Sequence, residues 1–93
     1  MQIKLDPKFE KNFNQIFEYI AQDKLSASKQ FKNKLFQQIK NIPNHPYKYR
    51  QSFYFENEAI RDMVFNGYTV VYEVDFNNNC IVILNIFNKN NPI

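Results

Sequence analysis

AIRDMVF (59–65), NG (66–67), YTVVYEVD (68–75), FNNN (76–79) and CIVILNIF (80–87) follow one another without interruption and read as three β-strands joined by tight turns. Asn66-Gly67 between two β-rich runs is a strong hairpin signal, because a type I′ turn needs φ > 0 at both central residues. Such a turn fixes the register: Phe65 faces Tyr68, Val64 Thr69, Met63 Val70, Asp62 Val71 and Arg61 Tyr72. Side chains alternate across a strand, so Ala59, Arg61, Met63, Phe65, Tyr68, Val70, Tyr72 and Val74 share one face, the fuller apolar one, which should look into the core. Ile60, Asp62, Val64, Thr69, Val71, Glu73 and Asp75 share the other, expected to be partly open to solvent or to a partner.

Upstream of this meander the apolar period changes from two to between three and four. Phe9, Phe13, Ile16, Phe17 and Ile20 mark one face of a helix over about 7–23, with Asp6 as N-cap and Pro7 at the first helical position. Phe31, Leu35, Ile39 and Ile42 mark a second helix, capped by Ser26 and ended by Pro43 and Pro46, with Lys29, Lys32 and Lys40 on its opposite side. The short link near 23–25 makes the two an antiparallel hairpin lying across one sheet face. Gln2 to Leu5 form a short N-terminal strand. The fold class is therefore α+β: that strand, the two-helix hairpin, and a three- to four-stranded antiparallel sheet meander, in a single domain over 1–93.

The segment HPYKYRQSFYFENE (45–58) reads as a loop or edge strand. Lys48 and Arg50 interleaved with Tyr47, Tyr49 and Tyr54 have the composition of a small nucleic-acid contact patch, although five residues of that mix are more often a packed loop. His45 between two prolines reads as a loop residue, and Arg61 opposite Tyr72 as a hydrogen-bonding or cation–π partner at the core rim.

The 93 residues are 44% hydrophobic and include ten Phe and six Tyr, enough for one core and too few for a separate cofactor domain. No apolar run approaches the roughly 20 residues of a membrane span and no signal-peptide core is present, which gives a cytoplasmic expectation. A single cysteine, Cys80, and a single histidine do not make a usual zinc site, and Cys80 within a strand pattern reads as a small buried residue. No cofactor or metal is expected. The net charge of +3 is unevenly spread: residues 1–50 carry ten Lys or Arg against four acids, residues 51–93 two against five. The basic surface lies on the first half of the chain; such a surface is more often simply a solvated face, and the sharper reading is that an acidic partner docks there.

The strand, helix hairpin and meander, with IRDMVFNGYTVVYEVD, then IVILNIFNKNNP, resemble the ParE and RelE toxin superfamily of bacterial type II toxin–antitoxin modules. The pattern Arg61, Tyr68, two β-branched residues and Tyr72, with a basic residue after the last strand, carries the likeness, which covers nearly the whole chain. The superfamily implies two activities on one fold, and fold alone does not choose between them. RelE-like members are ribosome-dependent mRNA endoribonucleases that aim cations at a phosphate and move a proton. The resemblance puts their basic positions near Ile60, Asp62 and Thr69, none cationic here, and their final aromatic acid–base residue beyond Ile93.

ParE-like members lack that constellation, and Lys89-Asn90-Asn91-Pro92 is similar to the tail of some of them. Phe87 stands where many relatives have His, and RQSFYFENE is longer than in many. The resemblance implies a toxin with no catalytic residue, which inhibits growth by binding DNA gyrase and forms a hetero-oligomer with a cognate antitoxin. Lys48, Arg50, Arg61, Asn88, Lys89 and Asn90 are the candidate target contacts. The alternatives are a ribosome-dependent nuclease with a rearranged site of His45, Lys48, Arg50 and Lys89, acting on mRNA at the ribosome, or a non-toxic partner-binding derivative. An acidic, partly disordered antitoxin tail is expected to fold over this protein, adding helix or strand to buried aromatics and neutralising basic charge.

Overall fold

In a computed structural model, which describes residues 1–89, the order along the chain is β1 (Gln2–Leu5), α1 (Pro7–Asp23), α2 (Leu25–Asn41), a 3-10 turn (Ile42–Asn44), β2 (Arg50–Gln51), β3 (Ile60–Phe65), β4 (Tyr68–Asp75) and β5 (Cys80–Asn88). The strands form one sheet in the order β1-β5-β4-β3-β2. Four are antiparallel neighbours, and β1 alone runs parallel to β5, with Ile3 beside Ile81 and Leu5 beside Ile83. The class is α+β as expected. A parallel pair needs a crossover, and here the whole helix hairpin together with the meander supplies it.

The hairpin register is the one that the turn dictates, from Phe65 opposite Tyr68 to Arg61 opposite Tyr72. Asn66 and Gly67 take φ of 49° and 83°. At Gly67 a Cβ would meet nothing within 4 Å, so the requirement for glycine is one of backbone conformation, not of space. Its carbonyl accepts the Lys89 N–H at 2.8 Å, tying the end of β5 to the hairpin.

Asp6 caps α1 by accepting the Lys8 N–H at 2.8 Å, with Pro7 just inside the helix. Ser26 does not cap α2. The helices are joined by Lys24 alone, whose extended backbone (φ −157°, ψ 113°) donates its N–H to the Ile20 carbonyl and accepts from Ala27 and Ser28. One residue thus ends α1 and begins α2, which leaves Ser26 inside the first turn. α2 gives way to the 3-10 turn at Ile42, one residue before Pro43.

The hairpin covers the sheet face bearing Met63, Phe65, Val70, Tyr72, Val74, Ile81, Ile83 and Ile86. Phe13 is the hub of its aromatic packing: it meets Phe9, Phe17, Phe31 and Phe36 at 5.4–6.4 Å between centroids, and Phe31 continues the contact to Phe65 and Tyr68. The pairings Phe9–Phe36 and Phe13–Phe31 run in opposite senses along the two helices, as an antiparallel hairpin requires.

A bulge interrupts β5. Tyr72 pairs with Ile83 and Val71 with Asn85, so Leu84 is extra and the alternation of faces shifts by one. Beyond it Ile86 enters the main core while Phe87 joins Ile60, Val71 and Leu84 on the far face. Asn85 instead accepts a hydrogen bond from Asn12 Nδ2 of α1 at 2.6 Å.

Candidate functional site

The second sheet face, expected to be partly open, is open only at Val64 and, in part, at Glu73 and Asp75; its centre is covered. Ile60, Asp62, Thr69, Val71 and Phe87 are all buried, and only Val64 among its apolar members is well exposed. The cover is the segment between β2 and β3, which folds back over the sheet. Its Ser52 N–H donates to the Ile60 carbonyl at 2.8 Å, its Phe53 N–H donates to Asp62 Oδ2 at 3.2 Å, and its Tyr54 ring stands edge-on to Phe87 at 5.1 Å.

The key to that cover is an ion pair. Arg50 and Asp62 are register partners across β2 and β3, and the Arg50 guanidinium lies 3.5 Å from Asp62 Oδ2. The Asp62 side chain is fully buried whereas that of Arg50 is 39% exposed. Asp62 Oδ1 is buried with no hydrogen-bond partner among the described residues. The guanidinium also lies over the Phe53 ring at 3.6 Å. Arg50 therefore clamps the covering segment between a buried acid and a ring. Sequence reading missed this pairing, although the acid between Ile60 and Val64, opposite Val71, was a signal that it needed a cation.

The remaining residues of the aromatic and basic patch gather at the C-terminal end of β4. Tyr72, 0% exposed, donates its hydroxyl to the Pro46 carbonyl at 2.6 Å and meets Tyr49 edge-on. Tyr47 stacks on Phe76 at 5.9 Å. Arg61 donates to the Glu58 and Tyr49 carbonyls and lies 4.7 Å from the Tyr47 ring. Lys48 Nζ stands 5.5 Å from the Tyr49 ring on the surface. Lys48, Tyr49 and His45 line a polar cleft of about 450 Å³ beneath the end of α2, with Gln38 and Asn41 opposite. Of the three cations, Lys48 is the one whose head group faces solvent; Arg50 and Arg61 hold the loop.

Burial holds the Tyr72 hydroxyl well above the ordinary tyrosine value of 10.0, against the pull of nearby Arg61. The native state then keeps its proton when the unfolded chain has lost it, so stability falls as pH rises past 10.0. Tyr72→Phe is expected to cost about 1 kcal/mol at neutral pH through the lost hydrogen bond. It should also flatten the alkaline decline. Urea unfolding of both proteins at neutral and alkaline pH checks this; parallel pH profiles would count against it. Asp75 has its carboxyl lowered by hydrogen bonds from the side chain and N–H of Asn78, which close the β4–β5 turn.

The other candidates lie elsewhere. Asn88 ends β5 beside a groove of about 340 Å³ between α1 and the sheet, whose wall includes Asn12, Ile16, Tyr19 and Tyr68. Lys89 is tied to Gly67 at the N-terminal end of β4. Asn90, and the tail from 90 onward, lie outside the described residues. Lys89 lies at the Gly67 end of β4, Arg50 lies level with Val71 halfway along that strand and two strands away from it, and the Pro46–Tyr47 loop beside His45 and Lys48 lies farther on, against Tyr72 and Phe76. The structure does not bring His45, Lys48, Arg50 and Lys89 into one site.

Cys80 is buried, with Sγ 3.9 Å from Asp75 Oδ2. Among the described residues no group of three or more His, Cys, Asp or Glu is arranged to hold a metal ion, and no helix is long and apolar enough to cross a membrane.

Comparison with known proteins agrees with this geometry. Residues 3–91 match the family model described as the ParE toxin of type II toxin-antitoxin system, parDE. Among solved structures the chain is similar to one from the chromosomal ParDE TA system of P. aeruginosa, with a TM-score of 0.74 at 15% identity and 95% of each chain covered, a likeness of fold. No curated protein matches the sequence. With the model matched from residue 3 to residue 91 and the same strand, helix hairpin and sheet in a ParDE structure, the chain belongs to the ParE toxin family of type II toxin–antitoxin systems.

Proposed function

We propose that this protein inhibits growth by binding DNA gyrase, without chemistry of its own, and that a cognate antitoxin holds it inactive. The observation that carries the reading is the burial of the positions where a nuclease would need cations. The resemblance to RelE-like nucleases puts their cations at Ile60, Asp62 and Thr69, and these three residues are uncharged or acidic and only 8%, 2% and 1% exposed. None of the three offers a phosphate a cation, and His45, Lys48, Arg50 and Lys89 do not converge on one point. What remains accessible is suited to contact: Lys48 and the cleft beside it at one end of the sheet, Asn88 and Lys89 at the other.

Tyr19, Phe53 and Phe76 are 71%, 79% and 67% exposed, rings of the kind that a protein partner covers. An acidic antitoxin tail that folds on this surface would cover rings and offset the basic half of the chain.

Purified protein added to gyrase and relaxed plasmid should block supercoiling or accumulate cleaved DNA, and the antitoxin encoded beside it should reverse the effect. Undiminished supercoiling at a stoichiometric excess of folded protein would rule out gyrase as the target. Codon-positioned cuts in translating mRNA would return the reading to RNA cleavage.

A further inference from the structure

From Lys24 to Phe55 the chain contains no Asp or Glu and seven Lys or Arg. Five of the seven, Lys24, Lys29, Lys32, Lys34 and Lys40, lie on or next to α2, all exposed, and none is in an ion pair among the described residues. At 100° per residue, Lys29, Asn33, Gln37 and Lys40 fall along one stripe of α2 opposite Phe31, Leu35 and Ile39, with Lys32 and Lys34 flanking it. Lys29 and Lys40 are eleven positions apart, which is about 16 Å along the helix, or roughly five nucleotide steps of one duplex strand. Between the cations stand amides that donate hydrogen bonds.

We propose that this face of α2 binds the sugar–phosphate backbone of a nucleic-acid duplex, independently of base sequence. Charge complementarity favours a polyanion, and the chemistry of the face selects which one. A peptide that orders on binding must offset its lost entropy with apolar contacts, and α2 exposes no large apolar side chain beyond Leu25 at its first residue. A single strand is gripped by stacking on exposed rings, and the ring that falls within this face, Phe36, is part-buried against Phe9 and Phe13 of α1. A duplex backbone requires neither; it requires spaced cations and neutral donors, which release its condensed counterions. The well-exposed rings Tyr19, Phe53 and Phe76 lie off α2, so a protein partner held by them competes with the duplex only where its acidic residues reach the α2 lysines.

The test is fluorescence anisotropy with the full chain and a random-sequence duplex of about 20 base pairs, across a salt series, with no gyrase present, so that its outcome is separate from the target question. Three phosphate contacts give a slope of log K against log salt of about −2.7, or roughly 40-fold weaker binding from about 50 mM to about 200 mM salt. Lys29→Gln, Lys32→Gln and Lys40→Gln together should weaken binding more than about tenfold at the lower salt and bring the slope close to zero. Lys8→Gln with Lys11→Gln on α1 should change it little, and an RNA duplex of equal length should bind through the same lysines. Glutamine keeps helix propensity, and circular dichroism checks that each variant is folded. Equal binding by the triple variant, equal loss in the α1 variant, tighter binding of single-stranded DNA, or equal binding of polyglutamate would each overturn the proposal.

Discussion

Replacing Arg50 by Met should destabilise the protein by about 3 kcal/mol, more than replacing its partner Asp62 by Asn. The two halves of this pair are not equivalent. Without Arg50 the fully buried Asp62 carboxylate keeps only the Phe53 N–H, an uncompensated charge in an apolar sheet face. In the Asp62→Asn protein, Arg50, whose side chain is already 39% exposed, can turn its guanidinium to water, and the new side-chain amide still offers an oxygen to the Phe53 N–H, for a cost of about 1 kcal/mol. Arg50→Met with Asp62→Leu should recover most of the loss, because two apolar groups need no partner and the acceptor lost by the Phe53 N–H costs less than a buried unpaired charge. Urea unfolding of the parent, the two single variants and the double variant compares these costs; equal costs for the two single changes would refute this account of the clamp. The same series separates two roles of Arg50. If it is a target contact as well, Arg50→Met in the background of Asp62→Leu leaves stability near the parent value and still weakens target binding.

That clamp also marks where the sequence stopped being legible. The type I′ turn at Asn66-Gly67 fixed the β3–β4 register correctly, and the register placed Asp62 on the face away from the helices. Periodicity delivered both helices because each turns one apolar stripe to the shared core and leaves its other side polar. Periodicity assigns residues to faces, however, and does not say what lies over a face. Segment 52–58 covers part of the second face through the Phe53 N–H on Asp62 and the Tyr54 ring on Phe87, and neither a loop amide nor a loop ring carries a local mark of its destination. The bulge at Leu84 was hidden for a related reason, since an extra residue in an apolar run leaves the run apolar. The candidate contacts divided along the same line. Lys48, Arg50 and Arg61 come from adjoining strand and loop and do gather, while Asn88 and Lys89 follow the strand that runs to the other end of the sheet.

Phe13→Ala should have the largest effect of any single change, about 4 kcal/mol. Phe13 is 6% exposed, and its ring is shared by both helices, so truncation leaves a void that neither helix can close alone. Four ring contacts vanish with it. Against a domain stability of roughly 5 to 15 kcal/mol, such a loss brings a small protein near to unfolding. Phe13→Leu, which retains most of the volume, should cost about half as much. A partner that binds only the folded state offsets the loss by mass action, by about 4 kcal/mol at a thousandfold excess over its dissociation constant. The Phe13→Ala protein is therefore expected to be recovered folded when co-expressed with an antitoxin and to melt at much lower temperature once separated from it. Thermal unfolding with and without the partner measures both quantities. A variant that melts within a few degrees of the parent when alone would mean that the helix hairpin does not depend on this hub, and equal melting with and without the partner would mean that the antitoxin does not bind the folded state.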